Sequence, residues 1–384
     1  MNRRHLPFRL AAFAILLVGL TAGLIAEETE PGAWQFAASG DSRNCGDVVM
    51  PAIAQSVLSH HAEFYWHLGD FRAIYRLDED YSQRELAGLR VRNPFVPSDI
   101  LLSSLPLGDY YKGAWADFIR SQIDPFGKLP VFLGIGNHEV IPPMSREAWV
   151  KQFNPWLDRS APRDPNSGAS ATPRSYYHWK MRGVDFITLD NADNDQFDAG
   201  QMKWLQALIA ADDSDSSVKT IVAGMHKALP DSISFGHSMN ESTDGTSSGR
   251  EAYNLLLDAR DHHGKKVYIL ASHSHYFMQN IYNTGCWRKN GGVLPGWITG
   301  TTGALRYRLP VDISGADFAV TDVYGYLLAT VHSDGTVAFH FQQVDENGVP
   351  ADIVKEYSAE FVNWCFSENR DLTINTEKRP DCPR

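Results

Sequence analysis

The sequence predicts an α/β fold in which two mixed β-sheets face one another and helices cover their outer surfaces. Three observations carry this. First, five short apolar runs each stop at a residue able to ligate a metal: residues 36–41 (FAASGD), 64–70 (FYWHLGD), 131–139 (VFLGIGNHE), 221–226 (IVAGMH) and 266–275 (KVYILASHSH). Second, a helical pattern separates the first two runs, the order expected of parallel neighbours joined by a crossover helix. Third, the apolar runs beyond His275 read as antiparallel strands that close a second sheet. Strands packed in one sheet bring their ends to a common rim, where Asp, Asn and His can converge.

Taken in order, residues 27–33 are a short polar entry and 34–39 the first strand. Residues 48–60 predict a helix with Ile53 and Val57 on its apolar face. The second strand is 64–68. Residues 76–110 read as an inserted loop or lid, because 77–92 is highly charged and 93–109 is rich in Pro and Ser. Residues 111–123 look like the helix before the third strand. A Pro/Ser/Gly loop follows at 160–172, then strands at 175–179 and 184–189 joined by Arg182-Gly183. Residues 198–211 predict a helix with Met202, Leu205, Leu208 and Ile209 on one side. A strand is expected at 218–223, an irregular Gly/Ser-rich stretch at 227–249, a helix at 250–262 and a strand at 266–271. The closing strands are 276–281, 296–299, 324–331 and 336–344. No internal repeat or second domain is visible, so 27–384 is expected to be one domain.

The chain has 384 residues, 43% of them hydrophobic, with 10 tryptophans, which fits a globular protein with a sizeable core. Residues 1–26 read as a signal peptide or an N-terminal anchor. Arg3, Arg4 and Arg9 precede an uncharged run ending at Ala26, near the lower bound of about 17 residues for a membrane span. Cleavage there would remove three positive charges and no acid, taking the net charge from −11 to −14. So acidic a surface argues against nucleic-acid binding, which needs basic groups facing phosphates. It does not exclude a small phosphorylated substrate, because a bound metal can dominate the local field. In an exported protein, the four cysteines suggest two disulfides, with three possible pairings, or else free thiols. Cys365 and Cys382 share the tail, which favours joining them. Cys45 and Cys286, each following a motif loop, would then staple the rim.

The order Asp41, Gly69-Asp70, Gly136-Asn137-His138-Glu139, His226, His273-x-His275 resembles that of the calcineurin-like metallophosphoesterase family, within the purple acid phosphatase-like superfamily. The resemblance spans residues 41–275, and Gly-Asn-His-Glu is its most specific piece. It implies an αββα sandwich holding two divalent or trivalent ions (Fe, Mn or Zn). Two cations about 3.5–4 Å apart neutralise the phosphoryl oxygens and generate a hydroxide nucleophile near neutral pH. By resemblance Asp70 bridges the ions, Asp41 and His275 hold the first, and Asn137, His226 and His273 hold the second. His138 is then no ligand but a donor to the leaving group or a stabiliser of the transition state. Asp70, or less directly Glu139, would tune it. Singly these residues say little: a Gly-Asp is usually a turn, and His273 and His275 would point apart unless the chain turns between them.

One position departs from the family pattern. Many members read Asp-x-His at the first motif, where this chain reads Asp41-Ser42-Arg43, and arginine cannot serve as an ordinary ligand. The purple acid phosphatase branch places a tyrosine three residues after the bridging aspartate. Here that residue is Ala73, and Tyr75 lies two further on. The first site is therefore expected to be weaker, completed by water or Tyr75, or empty. Arg43 could clamp substrate phosphate through its planar fork or form a surface salt bridge. His237 and Asn191 are candidate substrate contacts. His67 reads as structural, while His60-His61 and His262-His263 end helices, where histidine complements the dipole.

The expectation is an exported enzyme, periplasmic or secreted. It would hydrolyse a phosphate ester by a metal-held hydroxide without a covalent intermediate, on monoesters in preference to diesters. Membrane contact is expected only if the N-terminal segment is retained, and the sequence does not decide the oligomeric state. The alternatives are a phosphodiesterase and a non-catalytic phosphate-ligand binding protein with a degenerate metal site. Retention of His138 speaks against the latter.

Overall fold

The computed structural model describes residues 31–160, 173–193, 196–376 and Cys382. The expected export segment at 1–26 and nearly all of the 160–172 loop lie outside these residues. Among the described residues no helix is long and apolar enough to cross a membrane.

Twelve strands and ten α-helices make up the described fold. The strands are β1 (Trp34–Ser39), β2 (Tyr65–His67), β3 (Val131–Leu133), β4 (Tyr177–Met181), β5 (Val184–Thr188), β6 (Thr220–Gly224), β7 (Lys266–Ala271), β8 (Phe277–Gln279), β9 (Gly296–Thr299), β10 (Phe318–Val320), β11 (Tyr324–Val331) and β12 (Val337–Val344). The helices are α1 (Gly46–Ser59), α2 (Glu79–Arg92), α3 (Ser98–Ser103), α4 (Leu107–Phe118), α5 (Arg146–Ser160), α6 (Ala199–Ser214), α7 (Thr243–His263), α8 (Gly285–Lys289), α9 (Ala351–Tyr357) and α10 (Ala359–Ser367). One sheet has the order β12-β11-β1-β2-β3 and the other β10-β8-β9-β7-β6-β5-β4. The β1-β2-β3 and β5-β6-β7-β9 pairings are parallel and the flanking pairs antiparallel, so both sheets are mixed.

Strand alternation explains the layering. Phe36 and Ala38 of β1 and Trp66 of β2 face the other sheet, where they pack with Phe132, Trp179, Phe186 and Trp297 in an aromatic core. The intervening Ala37 and Tyr65 face outward onto α1. The closeness of the two sheets shows at Gly224, where a Cβ would lie 2.3 Å from the Trp66 ring. The outer face of the second sheet is covered by α6 and α7 through Leu205, Ile209, Tyr253 and Leu256. The result is the expected helix–sheet–sheet–helix sandwich.

Residues 76–110 are not the loop or lid expected; they form α2, α3 and the start of α4. Their charge misleads because much of it is paired inside the protein. Arg72 is fully buried, with one amino nitrogen (Nη2) 2.6 Å from both Asp47 and Asp117 and the other (Nη1) 3.1 Å from Asp80 of α2. Arg84 of α2 reaches Asp47 at 3.0 Å and Asp117 at 2.6 Å. The acids Glu79 and Asp80 open α2, and Arg90 and Arg92 close it, matching the helix dipole.

Three further expectations are corrected. The strands at 324–331 and 336–344 join the first sheet beside β1 rather than the second. The stretch at 227–249 is irregular only as far as Ser242, whose hydroxyl accepts from Gly245 N–H and starts α7 earlier than predicted. The disulfides are Cys45–Cys365 and Cys286–Cys382, not a Cys365–Cys382 pair with the other two at the rim. Proximity in sequence gave way to packing: α9 lies against α1 and α10 follows it into the same apolar cluster, which puts Cys365 beside Cys45.

Candidate metal centre

Five loops at the carboxyl ends of the parallel strands β1, β2, β3, β6 and β7 meet at one point. Three of the residues they deliver have left-handed backbone: Asp41 (φ 63°), Asp70 (φ 61°) and His273 (φ 65°). Each strand therefore stops abruptly and turns its side chain across the rim. The turn at His273 also resolves the alternation problem, because His273 and His275 address different parts of the centre. The loops lie so close that a Cβ on Gly136 would sit 2.3 Å from Asp70 Oδ1.

The expected second ligand set is brought together. His226 Nε2 lies 3.0 Å from Asn137 Oδ1, 3.0 Å from His273 Nδ1 and 3.3 Å from Asp70 Oδ1. His226 Nδ1 is 3.0 Å from the Leu68 carbonyl and 3.0 Å from Ser272 Oγ. A carbonyl only accepts, so in the neutral ring the proton is on Nδ1 and the Nε2 lone pair faces the other three atoms. Asp70 Oδ1, Asn137 Oδ1, His226 Nε2 and His273 Nδ1 thus converge, and with both imidazole nitrogens deprotonated a cation satisfies all four at once. Burial alone would lower His226, but the Asp70 carboxylate outweighs it and raises the imidazole to about 9, so a proton on Nε2 and a cation compete for the same place. His273 is driven well down by burial and by its neighbour His226. Asp70 Oδ2 is fully buried with no hydrogen-bond partner, the mark of a carboxylate oxygen that a cation would claim.

Asp41 and His275 also meet, with Oδ1 3.2 Å from Nε2. Arg43 adjoins them: its Nη2 is 3.0 Å from His275 Nε2 and 3.4 Å from the Tyr307 hydroxyl, and its Nε is 3.8 Å from Asp70 Oδ2. Arg43 is only 6% exposed, so the surface salt-bridge reading fails.

His138 Nε2 faces Asp70 Oδ2 at 3.6 Å, while its Nδ1 donates to the Ala73 carbonyl at 2.6 Å. In the neutral ring Nε2 is therefore an acceptor. Burial pushes His138 down to about 4 against the pull of Asp70. Glu139 takes no place among the converging atoms. It accepts from the backbone N–H groups of Asp70, Phe71 and Gly136, tying the second loop to the third, and burial beside Asp70 raises it to about 8.

Among the remaining candidates, His237 lies beside the centre, its ring 5.5 Å from His273 and stacked on Tyr307. Tyr75 is half exposed, its ring 5.4 Å from His138. Asn191 is corrected: both ends of its amide are taken by the backbone of Lys227, so it positions the His226 loop instead of facing a substrate. His67 is structural, donating from Nε2 to Ser42 Oγ at 2.9 Å. Sequence reasoning missed Tyr307, whose ring stacks on His275 at 4.0 Å; it follows no strand ending and carries no motif.

No family model and no curated protein sequence matches the chain. Solved structures do. A purple acid phosphatase from yellow lupin (Lupinus luteus) seeds overlaps 81% of this chain and 51% of its own, at 14% identity and a TM-score of 0.49. This chain thus spans about half the length of the lupin enzyme. A dimetal phosphatase from Danio rerio overlaps 81% of this chain and 96% of its own, at 11% identity and a TM-score of 0.46. GAP50, the anchor in the inner membrane complex of Plasmodium, overlaps 92% and 99% at 12% identity and a TM-score of 0.44. The functional reading rests on the residues of the site itself, since one fold hosts many functions.

Proposed function

We propose that the protein is an exported metal-dependent phosphoesterase of the calcineurin-like kind, acting on small phosphate monoesters. The observation that carries this is the convergence of Asp70, Asn137, His226 and His273 on one point, with His138 alongside. These four residues would hold a Zn, Mn or Fe ion, since mixed carboxylate, amide and imidazole ligands suit all three. When bound, the ion supplies positive charge against the phosphoryl oxygens and acidifies water.

The chain's own groups do the rest. The Leu68 carbonyl and Ser272 hold His226 in the tautomer that presents Nε2. Asp41 Oδ2 accepts from the His273 backbone N–H at 2.7 Å and fixes that turn. The Ala73 carbonyl fixes His138, whose Nε2 must gain a proton before it can give one to a leaving oxygen. Arg43 and the half-buried His237 and Tyr307 line the other side. A monoester suits this lining because its terminal oxygens match a guanidinium fork. Two disulfides support export to an oxidising compartment, periplasmic or extracellular.

The test is turnover of p-nitrophenyl phosphate and bis(p-nitrophenyl) phosphate by the purified protein loaded with Mn, Fe or Zn, with Asp70→Asn as control. Metal-dependent turnover lost in the control is expected, fastest on the monoester. A preference for the bis ester would make it a diesterase. Folded protein inert toward both esters with every metal would favour a second reading, a phosphate-binding protein, for which Arg43 beside His275 is the supporting observation.

A further inference from the structure

We propose that Arg43 takes the place of the first metal, so that the centre holds a single ion at Asp70, Asn137, His226 and His273 while the guanidinium supplies the second positive charge. This rests on the phosphoesterase reading for its catalytic meaning, but the ion count stands alone.

The argument turns on one lone pair. His275 Nδ1 lies 2.7 Å from the Leu305 carbonyl, which can only accept, so the ring proton sits there. The lone pair of Nε2 is then the ring's only ligating position, and Arg43 Nη2 donates into it at 3.0 Å. An sp² nitrogen cannot give one lone pair both to a guanidinium and to a metal. The other expected ligand, Asp41, already accepts from His273 N–H through Oδ2. Without His275, a metal here would have carboxylates and no neutral nitrogen, below the three protein ligands that an open catalytic site keeps.

Charge points the same way. Arg43 is buried with its Nε 3.8 Å from Asp70 Oδ2 and within the field of Asp41, and these carboxylates are what make an interior guanidinium tolerable. A divalent ion at the same place would bring two more positive charges against a group that does not deprotonate. The second ligand set has no such occupant.

The guanidinium also keeps capacity for a ligand. Arg43 Nε is buried and has no hydrogen-bond partner. Its Nε–H and the uncommitted Nη hydrogens remain for an anion, so Arg43 would touch substrate phosphate directly and be catalytic in that sense. The metal and Arg43 would together occupy the places of two ions, with one of the two charges fixed in the fold.

The experiment counts ions. Wild-type protein and Arg43→His are saturated with Mn²⁺ or Zn²⁺, freed of excess by gel filtration and analysed by mass spectrometry for metal per chain. Mn²⁺ samples are also examined by electron paramagnetic resonance. One ion in the wild type is expected, with an isolated-Mn²⁺ spectrum, and two in Arg43→His, with an exchange-coupled spectrum. Two ions in the wild type would overturn the proposal, as would a folded Arg43→His that stays at one. Should Arg43→His fail to fold, Arg43→Gln decides alongside the wild-type count. It is expected to keep one ion and to bind inorganic phosphate about 10–100-fold more weakly, the worth of one charged hydrogen bond. Unchanged phosphate affinity would refute the role given to Arg43. The two readings fail separately: one ion without ester turnover removes the enzyme and keeps the substitution, whereas two ions with turnover does the reverse.

Discussion

Replacing Arg72 by methionine tests whether the buried charge cluster holds the helical insertion in place. Arg72 lies among Asp47, Asp78, Asp80 and Asp117, all but Asp117 wholly inaccessible. Arg84 remains in the variant and still meets Asp47 and Asp117, so the loss is partial neutralisation, not complete. Removing one partner from a buried ion pair costs about 3–5 kcal/mol, and with Arg84 retained we expect about 3–4 kcal/mol at pH 7. The loss must also depend on pH. Burial would raise Asp47, but Arg72 and Arg84 outweigh it and hold it below the usual carboxylate range. Wild-type Asp47 thus contributes stability that is full above its unfolded pKa of about 3.9 and is lost as pH falls through the lower folded value. Without Arg72, Asp47 loses the larger of the two charges that hold it down, and its folded value rises. The native variant then binds more protons than the native wild type over this range, so acid costs it less. The gap between the two proteins should therefore narrow from pH 7 to pH 4.5. Urea denaturation of both at several pH values, with chelator present to remove any metal contribution, measures it. A difference below about 1 kcal/mol, or one constant with pH, would refute the reasoning.

Other outcomes follow from the same structure. His138→Gln should lower kcat by about 10²–10⁴-fold while leaving metal content unchanged, because His138 is not among the converging ligands; loss of bound metal would show otherwise. Gly136→Ala, whose Cβ would lie 2.3 Å from Asp70 Oδ1, should weaken metal affinity measured by competition with a chelating dye, with little change in helix content by circular dichroism. Cys45→Ser with Cys365→Ser opens a link across 320 residues, for which chain entropy alone gives a ceiling near 6 kcal/mol. A loss of about 3–5 kcal/mol is expected in denaturant; a loss under about 1 kcal/mol would mean that α10 docks without the bond.

The sequence showed the site better than the scaffold around it. Strand endings at Asp41, Asp70, Asn137, His226 and His273 were legible because a buried parallel strand is a short apolar run, and a polar residue at its end stands out. Helices α2 and α3 were hidden, whereas most of α4 was expected; the inward residues of α2 include Asp80, and period-counting assumes that inward means apolar. The Cys45–Cys365 disulfide and the placement of β11 beside β1 depend on contacts between residues some 300 positions apart, and the Cys286–Cys382 bond spans 96, which local pattern does not encode. Tyr307 and the Ala73 carbonyl act through proximity that only the folded chain creates.

The left-handed turns at Asp41, Asp70 and His273 set chemistry against durability. A side chain in that conformation costs about 1–2 kcal/mol, less for Asp and His than for most, and glycine adopts it freely. Asp41→Gly, Asp70→Gly and His273→Gly would each relax the backbone while deleting a member of the centre. Evolution of this protein for heat resistance alone should therefore drift toward glycine at these three positions and yield a hardier, inert molecule. Selection for ester hydrolysis should hold them fixed. The contrast between two such libraries would mark, without any structure, which residues the fold keeps for the proposed reaction.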